Sequence, residues 1–185
     1  MMESIKKLII LCCVFLGMLI SCTQQTLNFD QVDDLIAEPV MEASILYVEA
    51  PERIINQATE TNFFSQDFNF DAFSSDFFAE RVIEGTVTYE VENATSKALE
   101  VTIDFLSESG DILDTEFFEI GPAPPARVLQ REIPYGGQGR SIDILINTSS
   151  IRVSAENLGG TATTSPFPNA NITLKSKGKF KLSVL

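Results

Sequence analysis

The sequence predicts an all-β domain, an antiparallel sandwich of about seven to nine short strands. Two consecutive stretches carry that prediction. In Arg81 to Asn93, Ile83, Gly85, Val87, Tyr89 and Val91 share one side, and Glu84, Thr86, Thr88, Glu90 and Glu92 the other. In Leu99 to Phe105, Leu99, Val101, Ile103 and Phe105 alternate with Glu100, Thr102 and Asp104. A strict period of two places apolar side chains on one face of a strand and polar ones on the other, the pattern of an antiparallel sheet with one wet side. The third observation is that these runs are punctuated by turn chemistry, Asn93-Ala-Thr-Ser-Lys97 and Ser107-Glu-Ser-Gly110-Asp111.

The N-terminal segment has a different character. Lys6 and Lys7 precede an apolar run from Leu8 to Ile20, thirteen residues long, the form of a secretory signal and of the predicted signal helix. A spanning helix needs roughly twenty apolar residues, so this run is short for a permanent span. Leu19-Ile20-Ser21-Cys22 closes it, and these four residues resemble the bacterial lipobox. The resemblance implies a lipoprotein: cleavage before Cys22, acylation of Cys22, and residence in the outer membrane. The other reading is an ordinary signal peptide cut near Ser21, or an uncleaved N-terminal helix. The expected organisation is a signal peptide over 1–21, a tether over 22–42 and a β-sandwich over 43–185, with a Phe-rich connection at 62–78.

Composition limits the chemistry of the body. Cys12 and Cys13 fall in the signal and Cys22 at its boundary, so the sandwich carries no thiol and depends on its apolar core. The chain has no His and no Trp, which removes the usual general base near neutral pH and the commonest transition-metal ligand. Residues 22–120 hold 22 acidic and 3 basic residues, whereas residues 121–185 hold 3 acidic and 8 basic ones. A net charge of −13 repels phosphate, so nucleic acid is not an expected partner. The asymmetry suits early and late strands that pair across a sheet.

After a polar tether in which Asp33 and Asp34 read as solvated carboxylates, Ser44 to Ala50 is β-branched and aromatic-rich, and reads as the first strand. Asn62 to Phe78 then gathers seven of the fourteen phenylalanines. Read as core, this is a long connection whose rings cap one end of the sandwich. Read as a surface, Phe63, Phe64, Phe68, Phe70 and Phe73 would meet a partner protein, a glycan or the membrane. The core reading is preferred because large apolar side chains are mostly buried. Within the stretch, Asp67, Asn69 and Asp71 mimic the start of a calcium loop, but Ala72 stands where the turn needs Gly and Phe78 where the bidentate Glu belongs. An EF-hand is rejected, and these three remain only weak candidates for a looser calcium site.

Ile112 to Ile120 makes a strand with a less regular pattern. Gly85-Thr-Val87, Asn93, Val101-Thr-Ile103-Asp-Phe105 and Gly110 resemble the running text of bacterial immunoglobulin-like modules of the FxLYD and CARDB type. The resemblance implies an immunoglobulin-like β-sandwich and transfers no functional residue. The Phe-x-Leu-Tyr-Asp signature itself is absent, since Leu-Ser-Glu follows Phe105.

Gly121 to Pro125 reads as a rigid connector and Arg127 to Pro134 as a strand, with Arg127 and Arg131 on the side of Leu129 and Ile133. Tyr135 to Gly139 is a glycine-rich loop without the Lys and Ser/Thr of a P-loop. Ser141 to Asn147 is either a strand or a one-turn helix capped by Ser141. Ile151 to Glu156 alternates as a strand, and Asn157 to Pro168 is a loop. Asn171 to Leu185 reads as a terminal hairpin turning at Lys177-Gly178, with Lys175, Lys177, Lys179 and Lys181 on one face. Those lysines are either a basic stripe for an anionic surface or, as preferred, a solvent face paired with Glu90 and Glu92.

No Gly-x-Ser-x-Gly elbow occurs, and no carboxylate pair stands out, so catalysis and cofactors are not expected. The sequence thus points to a lipid-anchored envelope module with a structural or protein-interaction role. The periplasmic face is favoured, because Thr23-Gln24-Gln25-Thr26 carries no acidic export signal. The alternative is a glycan- or ligand-binding surface lipoprotein that uses the Phe-rich loop, assisted by calcium.

Overall fold

In the computed structural model, residues 38–184 and the single residue Glu3 are described. The lipobox, Cys22 and most of the expected tether lie outside the described residues. Eight strands form: β1 (Val40–Pro51), β2 (Asn62–Asn69), β3 (Val82–Asn93), β4 (Leu99–Leu106), β5 (Ile112–Ile120), β6 (Arg127–Tyr135), β7 (Ser150–Asn157) and β8 (Asn171–Leu182). Three short helices interrupt them: α1 (Glu52–Gln57), α2 (Asp76–Ala79) and α3 (Ile142–Ile146). Among the described residues no helix is long and apolar enough to cross a membrane.

The strands pair antiparallel in two four-stranded sheets, ordered β1-β8-β3-β6 and β2-β7-β4-β5. The all-β antiparallel sandwich expected from the alternation is therefore present, with eight strands. Its winding is more specific. Only β4 and β5 are sequential neighbours in one sheet, and every other connection crosses to the opposite sheet. That order is the double Greek key of a jelly roll, where the family resemblance implied an immunoglobulin-like winding.

Alternation explains the layers. Val87, Tyr89 and Val91 of β3, Leu99, Val101, Ile103 and Phe105 of β4, and Ile151, Val153 and Ala155 of β7 are buried between the sheets. One expected inward residue is displaced. Ile83 is exposed, because the register of β3 against β8 shifts between Val82 and Glu84, and Val82 packs on the core instead. β1 begins at Val40, which pairs with Lys181, so residues 40–42 belong to the sheet rather than to the tether.

The Phe-rich stretch is an edge strand followed by a cap, not the long connection the sequence suggested. Residues 62–69 form β2, because they find a partner strand in β7. Phe63, Phe64, Phe68 and Phe70 are half-buried against the core, and Phe73 and Phe78 are almost wholly enclosed. Ser75 caps α2 by accepting the Phe78 amide, which turns Phe78 inward. The rings of Phe73 and Phe78 then meet Phe180 edge to face at 5.4 and 5.0 Å. The expectation that these rings close one end of the sandwich holds for Phe73 and Phe78. Phe77 is exposed, with the Arg81 guanidinium 5.0 Å over its ring.

The C-terminal hairpin does not form. β8 runs unbroken from Asn171 to Leu182 in the centre of its sheet, paired with β1 on one side and β3 on the other. Gly178, read from sequence as a turn, is in register with Ala43 and Val87. A Cβ on Gly178, or on Gly85 directly across from Phe180, would collide with the Phe180 ring. These glycines leave a hollow for a phenyl ring, which is one reason glycine occurs inside a strand. Replacing Gly178 by Ala is expected to destabilise the fold by about 1–3 kcal/mol through overpacking. Urea unfolding of G178A, with an unchanged denaturant slope, checks this.

Candidate functional site

Three polar arrangements are the candidates. The first lies inside the sandwich where edge strands β5 and β6 face each other. The inward positions of β5 are Asp114, Glu116, Phe118 and Ile120, so two carboxylates occupy sites that alternation reserves for apolar side chains. That is why this strand reads irregularly in the sequence. Glu116 is 2% exposed, and its Oε2 accepts from Arg131 Nη1 at 3.1 Å while its Oε1 forms a close ion pair with Arg140. Arg140 also donates to Asp114 at 2.5 Å, and the Tyr135 hydroxyl donates to the same carboxylate at 3.3 Å. Arg131 spans the gap between sheets, its guanidinium 4.5 Å over the Phe118 ring and donating to the Phe117 carbonyl at 3.1 Å.

Two phenols back this cluster. Burial pushes Tyr89 and Tyr135 well above their ordinary value of 10.0, and the Asp114 and Glu116 charges push the same way. The Asp114 and Glu116 charges and the Asp114 hydrogen bond hold the Arg140 guanidinium above its usual value against a desolvation cost. The Tyr89 hydroxyl has no hydrogen-bond partner among the described residues. Each carboxylate thus lies in an ion pair with a guanidinium.

The second arrangement ties loops together at one end of the sandwich. Asn93 closes β3 with a full set of bonds: its Nδ2 donates to the carbonyls of Lys97 and Gly121, and its Oδ1 accepts from the Thr95 amide and hydroxyl. This Asx turn carries the chain across to the opposite sheet. Buried Lys97 donates to the Thr163 carbonyl at 2.7 Å and hydroxyl at 2.8 Å. Buried Glu52 at the start of α1 accepts from the Ser96 amide and hydroxyl and from the Ser165 amide. Both ions are held by neutral loop groups, a structural clasp among three segments.

The third is the outer face of the β1-β8-β3-β6 sheet. The lysine ladder stands on this face of β8, an inner strand. Lys175 pairs with Glu90, Lys179 with Glu42, and Lys181 with Glu38 and Glu84. The solvent-face reading thus holds, with partners drawn mostly from outside the expected pair: Glu92 lies opposite Thr173 instead. Beside Lys175 and Lys177 a groove of about 600 Å³ crosses the strands, walled by Tyr47, Thr88, Glu90 and Gln130.

Among the weak calcium candidates, Asp67 is held in an ion pair. Arg152 donates to both carboxylate oxygens of Asp67, at 2.7 and 2.9 Å, and holds its carboxyl below the usual range. Asn69 ends β2, and Asp71 lies in the turn that follows. Among the described residues no three His, Cys, Asp or Glu side chains are grouped to hold a metal. The interior ion cluster and the Glu52–Lys97 clasp were missed from sequence. The one available signal was the irregular alternation of β5.

No family model and no curated protein matches the sequence. Solved structures are similar in outline. The infectious bursal disease virus VP2 subviral particle aligns at 10% identity and TM-score 0.42 over 79% of this chain and 33% of that one. A chain of the Bacillus endospore appendages, which form a family of disulfide-linked pili, aligns at 8% identity and TM-score 0.36, over 80% of this chain and 92% of that one. A chain of desmodium yellow mottle tymovirus gives 11% identity and TM-score 0.34, over 80% and 84%. The chain spans about a third of the length of the VP2 chain. All three similarities lie below the level at which a shared role follows.

Three outcomes follow from this geometry. An unfolded phenol ionises near pH 10, whereas folded Tyr89 and Tyr135 stay neutral well beyond it. Their contribution to stability is complete below pH 10 and is lost as the pH rises through and above it. A spectrophotometric titration should therefore show Tyr47 ionising in the folded protein and the other two tyrosines only on unfolding. Tyr89→Phe should move alkaline unfolding to higher pH and cost less than about 1 kcal/mol at neutral pH, because the hydroxyl it removes is unpartnered. On the outer face of the other sheet, Glu100 stands directly between Glu119 and Glu156. Like charges directly opposite destabilise a sheet, so Glu100→Lys should raise stability by about 0.2–1 kcal/mol, measured by thermal unfolding at low salt.

Proposed function

We propose that the chain is a lipid-anchored protein of the cell envelope, held at the outer membrane through Cys22, whose sandwich is a non-catalytic structural or protein-interaction module. The observation that carries this reading is the fate of its conspicuous side chains. Phe73 and Phe78 are spent on the core, and Glu52, Asp114 and Glu116 are spent on closing loops and sheets. Nothing reactive is left converging on a cleft among the described residues. The location rests on Lys6-Lys7, the apolar run and Leu19-Ile20-Ser21-Cys22. One acyl chain holds a protein only marginally, so a multiply acylated cysteine suits a stable tether.

With Thr23 to Thr26 uncharged, the sandwich faces the periplasm, where its partner is another envelope protein. A net charge of −13 argues against nucleic acid. Metabolic labelling with palmitate tests the anchor: the wild-type chain should take up label, and Cys22→Ser should lose it and accumulate uncleaved. Label retained by the Cys22→Ser protein sinks the reading. Protease treatment of intact cells tests the face, since a periplasmic sandwich is protected until the outer membrane is permeabilised.

A further inference from the structure

We infer that the groove on the outer face of the β1-β8-β3-β6 sheet binds an acidic carbohydrate chain, with Tyr47 as the stacking platform and Lys177 as the contact for a sugar carboxylate. This goes beyond the anchored-module reading and does not depend on it.

Local structure builds the groove. The register of β1 against β8 shifts between Ser44 and Leu46, so β1 carries one extra residue there. A bulge bends its strand and re-aims side chains, and all four residues from Ser44 to Tyr47 reach the groove wall. Tyr47 is 63% exposed, which by itself would mean little on a protein surface. Its ring is fixed, however. The Tyr47 hydroxyl donates to Glu49 at 2.8 Å, and Asn171 donates to the other oxygen of the same carboxylate at 2.5 Å. An aromatic ring that is both exposed and anchored loses little conformational freedom when a ligand covers it.

The rest of the wall is polar. Lys175 and Glu90 form an ion pair across β8 and β3, and Gln130 stands next to Glu90 on β6. Ammonium, carboxylate and amide together supply donors and acceptors across three adjacent strands, spaced about 4.8 Å apart. Sugar rings present an apolar face of C–H groups for a flat aromatic surface and a rim of hydroxyls that both donate and accept. A cation remains after this pairing. Of the four ladder lysines, Lys177 alone lacks a carboxylate within 4.0 Å among the described residues, flanked instead by Ser44 and Thr88. It lines the same groove as Tyr47, across from Ser44. An unpaired ammonium there selects a ligand that brings its own anion, and a uronate supplies one on the sugar itself.

The test uses the purified full chain in detergent against uronate-containing and neutral oligosaccharides on an array, followed by calorimetry. Uronate chains should bind, with affinity falling as salt rises. Tyr47→Ala should weaken binding about tenfold or more, and Lys177→Gln about tenfold for uronate chains only. Both side chains stand on the solvent face, so unchanged thermal unfolding of the variants separates lost binding from lost folding. The Cys22→Ser chain should bind as well as the wild type, which keeps failure of the anchor distinguishable from failure of the groove. Binding of no oligosaccharide, binding untouched by Tyr47→Ala, or equal affinity for neutral chains overturns the inference.

Discussion

The Phe180 ring lies against the sheet only because positions 85 and 178 have no side chains, and much of the architecture depends on that hollow. β8 is the last of the eight strands and an inner strand of its sheet, gripped by β1 and β3. With a side chain at Gly178 or Gly85, Phe180 would have to leave the core or β8 would have to lift from β3. The ring also receives the two enclosed phenylalanines of the α2 region, Phe73 and Phe78. A segment near residue 75 and a strand near residue 180 are thereby joined in one aromatic contact. Burial of a Phe side chain contributes on the order of 1.5–3 kcal/mol, and edge-to-face pairs add a fraction more.

The interior charges do a different job at the open side of the sandwich. β5 and β6 are edge strands of opposite sheets, and their inward residues could have been apolar throughout. Instead Asp114 and Glu116 meet Arg131 and Arg140 there. Replacing such a cluster by matched apolar residues is often neutral or stabilising, so ion pairing is a weak account of why the fold is stable. Geometry offers a better one. Arg140 follows the glycine-rich loop, its amide donates to the Pro134 carbonyl, and its side chain reaches across to β5. A directional bond of that kind fixes the facing of two edges that slide easily when only apolar surface lies between them. Asn93, Lys97 and Glu52 fix loop positions by the same means.

The sandwich was legible wherever alternation is strict, as in β3, β4 and β7, because burial of one face leaves a direct trace in sequence. Three features were not. β2 was hidden because the Phe residues of this stretch pack from several directions, on the sheet at Phe64 and Phe68 and under the cap at Phe73. Gly178 misled because a glycine that makes room for a ring is written like a glycine that turns. The jelly-roll order was hidden because a five-residue link such as Ala94 to Ala98 reads as a hairpin turn. What sends the chain to the other sheet is the set of bonds made by Asn93, which depend on Gly121 far along the chain. Of the candidate sites, Asp67 and the aromatic run were visible as residue types, but their partners Arg152 and Phe180 are remote in sequence.

The uneven charge of the sequence takes its meaning from the position of β8. An acidic first half and a basic tail would merely repel solvent ions differently if each folded by itself. With β8 between β1 and β3, three of the four ladder lysines pair with carboxylates from the front, at Glu42, Glu84 and Glu90. Each such exposed pair is worth little alone. Their collective effect is on choice of partner, because β1 and β3 carry like charges and would repel if they paired directly, whereas each is attracted to β8. Those pairings join residues more than eighty positions apart, and such contacts form late because the loop between them must first be closed. Charge written into the two ends of the chain therefore favours β8 as the strand that lies between β1 and β3.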